Sequence, residues 1–142
     1  MLNTILIHAH SGLRWVVLLL LVYVMINAVT ALRSKRTYTS RDKRLSLFAM
    51  TSVHIQVILG LVLYFLSSDV KFADYTMTND QVRFFTIEHA FGMLIAVTLV
   101  TLGHRKGKSG NFKGLFWYYT IALLIILISI PWPFRGFGNG WF

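Results

Sequence analysis

Cysteine is absent from all 142 residues, which excludes disulfides, thiolate zinc sites, iron–sulfur clusters, covalently attached c-type haem and thiol nucleophiles. Acidic side chains are scarce too, five Asp and Glu against fourteen Lys and Arg. No paired-carboxylate glycosidase site is legible, and neither is a nucleophile triad, a phosphate-cradling glycine loop, zinc-protease spacing or a nucleotide fingerprint. Proline occurs only twice, in the Pro131-Trp132-Pro133 run near the C-terminus, so nothing upstream forces a break in a helix. The chemistry left to the chain belongs to histidine, arginine, a few carboxylates and aromatic rings.

What the chain has in excess is apolar surface. With 56% apolar residues, 13% charged residues and a mean hydropathy of +0.62, it carries more than one small soluble core can hide. Hydropathy divides it into four segments, about 5–32, 45–66, 84–103 and 114–130, each near the roughly 20 residues that a helix needs to cross a bilayer. Runs this long without strand-like alternation must satisfy their backbone groups as helices. The first segment has no basic start and no small-residue cleavage site, so it is expected to stay in the protein and not to be removed as a signal peptide.

The net charge of +9 suggests nucleic acid only until the basic residues are placed. Ten of the fourteen fall in two connections: Arg33, Lys35, Arg36, Arg41, Lys43 and Arg44 in the first, Arg105, Lys106, Lys108 and Lys113 in the third. They read as topology signals that put both connections in the cytoplasm, and no DNA-binding motif accompanies them. The second connection, with Asp69, Lys71, Asp74, Asp80 and Arg83, is nearly balanced, which places both termini outside. Pro131 to Pro133 stops the fourth helix. The tail from Phe134 to Phe142 is rich in Gly and aromatics, and Trp132, Trp141 and Phe142 suit the interfacial belt. The run Phe116, Trp117, Tyr118, Tyr119 reads as an anchor at the inner interface. The expected fold is a single-domain, all-α membrane protein, an up-down-up-down bundle of four transmembrane helices with the first and third on one diagonal.

Three histidines, His10, His54 and His89, lie inside apolar spans, where an imidazole is costly without a role. His10 and His89 each lie about five residues into their spans, hence roughly 8 Å below the outer boundary at 1.5 Å per residue. Diagonal helices at equal depth can point two imidazoles at one haem iron; the alternative is that each ring bonds a neighbouring helix. Gly12 and Gly92 would let a flat macrocycle approach the backbone, or serve close helix packing. Arg14, four residues after His10, shares its face and suits a propionate; the alternatives are snorkelling to the interface or pairing with Glu88. His54 falls near mid-membrane, roughly 18 Å deep, as a reserve ligand, a quinone-carbonyl donor or a bridge to another helix. His104 reads as a boundary residue or a cation at a helix end, and His8 as interfacial. Glu88, the only carboxylate in a span, is a candidate for proton transfer beside an outward-facing redox centre, or one half of a structural ion pair. Arg83, Asp80, Asp74 and Tyr75 lie at the outer mouth.

The stretches HAHSGLRW, SVHIQVILGLVLYF, IEHAFGM and ALLIILISIPWPF resemble, over nearly the whole chain, small four-helix membrane proteins of Bacteroidetes labelled cytochrome b. The chain is also distantly similar to one half of haem A synthase, through Glu88-His89 and the Gln-x-x-x-Gly of Gln56 to Gly60. These resemblances imply a haem held by His10 and His89 and leave the role of His54 open. Haem A synthase has eight helices and redox cysteines that are absent here, so its reaction is not implied.

The function expected from this reading is electron transfer in the bacterial inner membrane by one bis-histidine haem b. The donor would be a quinol or a membrane dehydrogenase and the acceptor a partner at the outer face. An electron-transfer subunit of a larger respiratory complex or a homo-oligomer fits better than a stand-alone enzyme. Two other readings are a cofactor-free accessory or structural subunit, and a small transporter or proton channel with His54 and Glu88 in its path.

Overall fold

The computed structural model describes residues 2–68 and 70–137. Four helices dominate it: α1 (Leu2–Arg33), α2 (Ser40–Leu66), α3 (Asp80–Lys108) and α4 (Phe112–Ser129). Each is long and apolar enough to cross a membrane. Asp69, Trp141 and Phe142 lie outside the described residues.

The helix boundaries follow from local chemistry. Thr39 caps α2 in a reciprocal box with Asp42, Asn79 accepts a hydrogen bond from the Val82 amide at the start of α3, and Asn111 does the same for Gly114 at the start of α4; each cap satisfies an otherwise orphaned amide. These caps carry α2, α3 and α4 a few polar residues beyond the apolar runs at their N-termini. Gly110, at φ +79°, supplies the left-handed turn between α3 and α4, a conformation that costs glycine nothing.

Neighbouring helices run antiparallel. Gln56, late in α2, donates to the carbonyl of His10, early in α1 (2.8 Å), whereas Asn27, late in α1, donates to Asp42 at the start of α2 (2.7 Å). In the same way Ser46, early in α2, meets His104, late in α3 (2.9 Å), and His89, early in α3, meets Ser129 at the end of α4 (2.6 Å). α1 packs on α2 and α4, and α3 packs on α2 and α4, which leaves α1 and α3 on the diagonal. The bundle is therefore the expected up-down-up-down one, with a His10–His89 end and a His104 end.

Small residues let the backbones close in. Ala28, Ala49, Ala96 and Ala122 are fully buried, and a Cβ at Gly103 would collide with the Tyr119 ring, so α3 and α4 are in close contact there. Leu21, Val24, Val53, Val100 and Ile126 fill the middle of the bundle. Outward-facing side chains are large and apolar, for example Leu19 (71% exposed), Phe65 (81%) and Ile128 (67%). An exterior of this kind calls for a hydrocarbon environment, and the chain reads as a multi-pass membrane protein.

At the His104 end, Asp42 is 2% exposed yet fully engaged. It accepts hydrogen bonds from Arg36 (2.6 and 2.8 Å), Asn27 (2.7 Å) and both the amide and hydroxyl of Thr39 (2.8 Å each). The pairing raises the Arg36 pKa above its ordinary value and clamps the α1–α2 link. Beside it lies a buried polar cluster in which Ser46 meets Tyr38 and His104 (2.9 Å each) and the Tyr119 hydroxyl donates to the Ser46 carbonyl (3.1 Å). His104, four residues before the end of α3, faces the bundle interior. It is 7% exposed and hydrogen-bonded, because the polar start of α2 folds over the end of α3.

Candidate cofactor site between His10 and His89

A cavity of about 310 Å³ opens among the four helices at the His10 end. Every helix contributes at helical spacing: His10 and Arg14 from α1, Gln56, Gly60 and Tyr64 from α2, Phe85, His89 and Met93 from α3, and Ile126 and Ile130 from α4 and its end. Residues four apart stack on one helix face, so each set forms a single wall.

The two imidazoles meet inside it. His10 lies eight residues after Leu2 and His89 nine after Asp80, and their ring centres are 6.2 Å apart with the planes at 75°. An imidazole nitrogen sits about 1 Å from its ring centre and binds a metal at about 2 Å. Two imidazoles on opposite sides of one ion therefore have centres about 6 Å apart.

His89 is aimed by two features. First, its Nδ1 donates to the Ser129 carbonyl (2.6 Å), and the sequence explains why that carbonyl is available: the residue four positions on is Pro133, which has no amide hydrogen to give. Pro131 likewise frees the carbonyl of Leu127, which accepts from Trp132 Nε1 (2.8 Å), and the Trp132 amide turns to the Ile130 carbonyl, which leaves that of Ile128 to accept from Arg135 (2.6 Å). With Nδ1 carrying the hydrogen, Nε2 of a neutral His89 keeps its lone pair. This is the arrangement of a metal-ligating histidine anchored through its other nitrogen.

Second, α3 changes register just before the ring. Residues Phe84–His89 form a π-helix between α-helical Asp80–Arg83 and Ala90–Lys108. One extra residue in a turn shifts the face on which later side chains lie by about 100°. Within the π segment the Thr86 carbonyl accepts from the Tyr64 hydroxyl (2.9 Å), and Thr86 Oγ1 accepts from the Lys71 amide (3.1 Å). Phe84 and Phe85 flank His89 with ring centres 6.0 and 6.4 Å away, and Phe137 from the tail packs on both. Nothing in the apolar pattern of α3 announces the π segment, and the sequence reading missed it.

The opposite wall is made by Gly60. A Cβ there would stand 3.1 Å from His10 Cε1, so the His10 ring occupies the space that a side chain would take. Nδ1 of His10 and Oε1 of Gln56 are buried without a hydrogen-bond partner in the protein, a costly state for polar atoms in an apolar site. Arg14 is 8% exposed and lines the cavity. Its guanidinium carbon lies 5.4 Å from the Trp15 ring centre and 5.8 Å from that of Trp132, cation–π contacts that hold a charge within the bundle. Among the described residues no three His, Asp or Glu side chains converge on a metal-sized site. Two imidazoles alone cannot complete an ion's coordination, so a metal here would have to bring its remaining ligands with it.

The structure brings together His10, His89 and Arg14 and leaves the other sequence candidates apart. His54 is exposed on the outside of α2, its Nδ1 bonded to the Met50 carbonyl (2.8 Å), because its position on the α2 helix faces away from the Gln56–Gly60–Tyr64 wall. Glu88 is likewise exposed and pairs with Arg83 (2.9 Å), which also pairs with Asp80 (2.9 Å). It makes a surface ion pair, and does not reach Arg14. A Cβ at Gly12 would meet nothing within 4 Å, whereas Gly92 lies against Ser129, where a Cβ would collide with the hydroxyl. Gly92 therefore serves α3–α4 packing, and neither glycine lines the cavity. His8 is exposed. The sequence reading missed Tyr64, Phe85 and Met93 as lining residues, named Gly60 only through the resemblance, and had Gln56 otherwise only as a bridge from His54; the spacing of 56, 60 and 64 on one face was the available signal.

Comparison with protein-family models, with curated proteins and with solved structures finds no match to this chain.

Proposed function

We propose that this protein is a membrane-embedded b-type cytochrome in which His10 and His89 bind one haem iron from opposite sides. The observation that carries the reading is the pair of diagonal imidazoles, 6.2 Å between ring centres in a four-walled cavity, with His89 anchored through Nδ1. An edge-to-face contact between aromatic rings has a similar spacing, but packing alone leaves the buried His10 Nδ1 without a hydrogen-bond partner. The residues present fit the group: two imidazoles, a guanidinium for a propionate, and a glycine that leaves room for the His10 ring.

A bound haem b would be held by His10 and His89 and would supply one-electron redox chemistry. The protein's own groups do the rest. Ser129 fixes the His89 tautomer, Gly60 makes room for the His10 ring, Arg14 offers positive charge to an anionic substituent, and Phe84, Phe85 and Phe137 shield the outer rim from water.

Both basic connections lie at the His104 end, so the positive-inside rule makes that end cytoplasmic and puts the termini and the histidine pair at the outer side. Helical spans favour the bacterial inner membrane over the outer, where barrels prevail. Electrons would pass between a quinol or membrane dehydrogenase and an outer-face partner, within a larger complex or homo-oligomer. Absorption spectroscopy of gently solubilised protein tests the proposal: a Soret band, with α and β bands sharpened by dithionite, is expected. A folded, colourless preparation that takes up no added haem would refute it and leave the cofactor-free accessory subunit.

A further inference from the structure

His54 sits where a polar side chain has little business unless something covers it. Its ring is exposed on the bundle's outer surface, and Val97, Thr98, Thr101 and Leu102 of α3 complete a shallow groove of about 220 Å³ beside it. His54 lies about midway along α2, at a depth that faces hydrocarbon. Its Nδ1 meets the Met50 carbonyl at 2.8 Å; a carbonyl only accepts, so Nδ1 holds the hydrogen and Nε2 of the neutral ring keeps a lone pair. The nearest hydroxyl, Thr101 Oγ1, is 3.5 Å from Nε2 and donates instead to the Val97 carbonyl at 2.7 Å. Thr98 donates to the Leu94 carbonyl at 2.8 Å. An acceptor whose one hydroxyl neighbour is 3.5 Å away and donates elsewhere thus lies beside the exposed Thr98, whose hydroxyl can turn its hydrogen outward in exchange for the Leu94 bond.

We infer that this face is the contact between two copies of the chain, packed about a two-fold axis so that His54 Nε2 of each accepts from a threonine hydroxyl of the other. A two-fold interface brings one patch against itself, and this patch holds both the acceptor and the donors, which makes it complementary to itself. Lipid offers no hydrogen bond at this depth, and polar side chains on a helix face in a membrane pair across helices. Ile58 and Leu94, one turn toward the His10 end, continue the patch with exposed apolar surface. A small lipid-soluble ligand is the poorer occupant, since such ligands are mostly enclosed by their pockets and this groove has only five lining residues.

The absence of native cysteine makes the test direct. Single cysteines at Thr98→Cys on the patch and at Leu19→Cys and Ile128→Cys on other faces are oxidised in native membranes; a cross-linked dimer is expected for Thr98→Cys alone. In lipid vesicles, single-molecule photobleaching on serial dilution reads the dimer affinity. His54→Leu should weaken it roughly eightfold, from two symmetry-related bonds worth a factor of about 2.8 each, while thermal unfolding stays unchanged because the residue faces outward. The proposal is overturned if Thr98→Cys cross-links no more than the two controls, or if wild type and His54→Leu dissociate alike. A monomeric wild type carrying a quinone that His54→Leu loses, or a Thr98→Cys cross-link to a different protein, also overturns it. The readouts do not depend on haem, so the dimer and the cytochrome stand or fall separately.

Discussion

Gly60 separates a cofactor site from a packing contact more sharply than removal of either histidine. A methyl group at this position would stand 3.1 Å from His10 Cε1, inside the 3.5–4.0 Å at which carbon atoms rest against each other, so the imidazole must retreat about half an ångström. Alanine gains about 1 kcal/mol over glycine in helix propensity, and the tight contact costs a similar amount. Unfolding of the haem-free protein should therefore change by less than about 1 kcal/mol. Gly60→Leu goes further: its side chain enters the 310 Å³ cavity and adds about 1.5–3 kcal/mol of apolar burial, which offsets the displacement of the His10 ring. The assay is Soret absorbance per mole of protein after expression with a haem precursor, alongside thermal unfolding of haem-free samples. Haem content should fall several-fold in Gly60→Ala and vanish in Gly60→Leu, with both proteins folded. A folded Gly60→Leu protein with wild-type haem content and spectrum would refute the reasoning, because the group would then lie elsewhere.

Three further outcomes are expected. Alanine at His10 or His89 abolishes the reduced-minus-oxidised haem spectrum, whereas His54→Ala leaves it intact; loss in the His54 variant alone would reassign the ligands. Ser46→Ala leaves the buried His104 and Tyr38 groups short of a partner and should destabilise the fold by about 1–3 kcal/mol in chemical denaturation, without moving the Soret maximum. Asp42→Asn breaks the pairing of a buried carboxylate with a half-buried Arg36 and should cost about 1–2 kcal/mol, read as a lower midpoint in the same denaturation series.

Much of the architecture was legible from one-dimensional pattern. Apolar runs of bilayer length, the last stopped by Pro131, define four helices, and basic first and third connections around a nearly balanced second one imply hairpins; the caps at Thr39, Asn79 and Asn111 came only with the structure. The site was legible only in part. Equal depth on diagonal helices made His10 and His89 partners, but depth says nothing about the face of a helix, and here the face decides. His54 has the right residue type and the wrong side of α2. Glu88 has the right depth and turns outward to Arg83. His104 looks terminal in sequence and is buried because the start of α2 covers it.

Sequence alone determined that this chain must form long helices in an apolar surround, since backbone groups in hydrocarbon have no other partners and short links return each helix beside the last. Tertiary structure decided which polar side chains share a space. The π segment turns His89 inward, Pro133 leaves the Ser129 carbonyl free to hold it, and Gly60 yields the volume in which the His10 ring stands. Those relations join residues on all four helices, and rotation about a helix axis is set by packing between helices, which no linear spacing records.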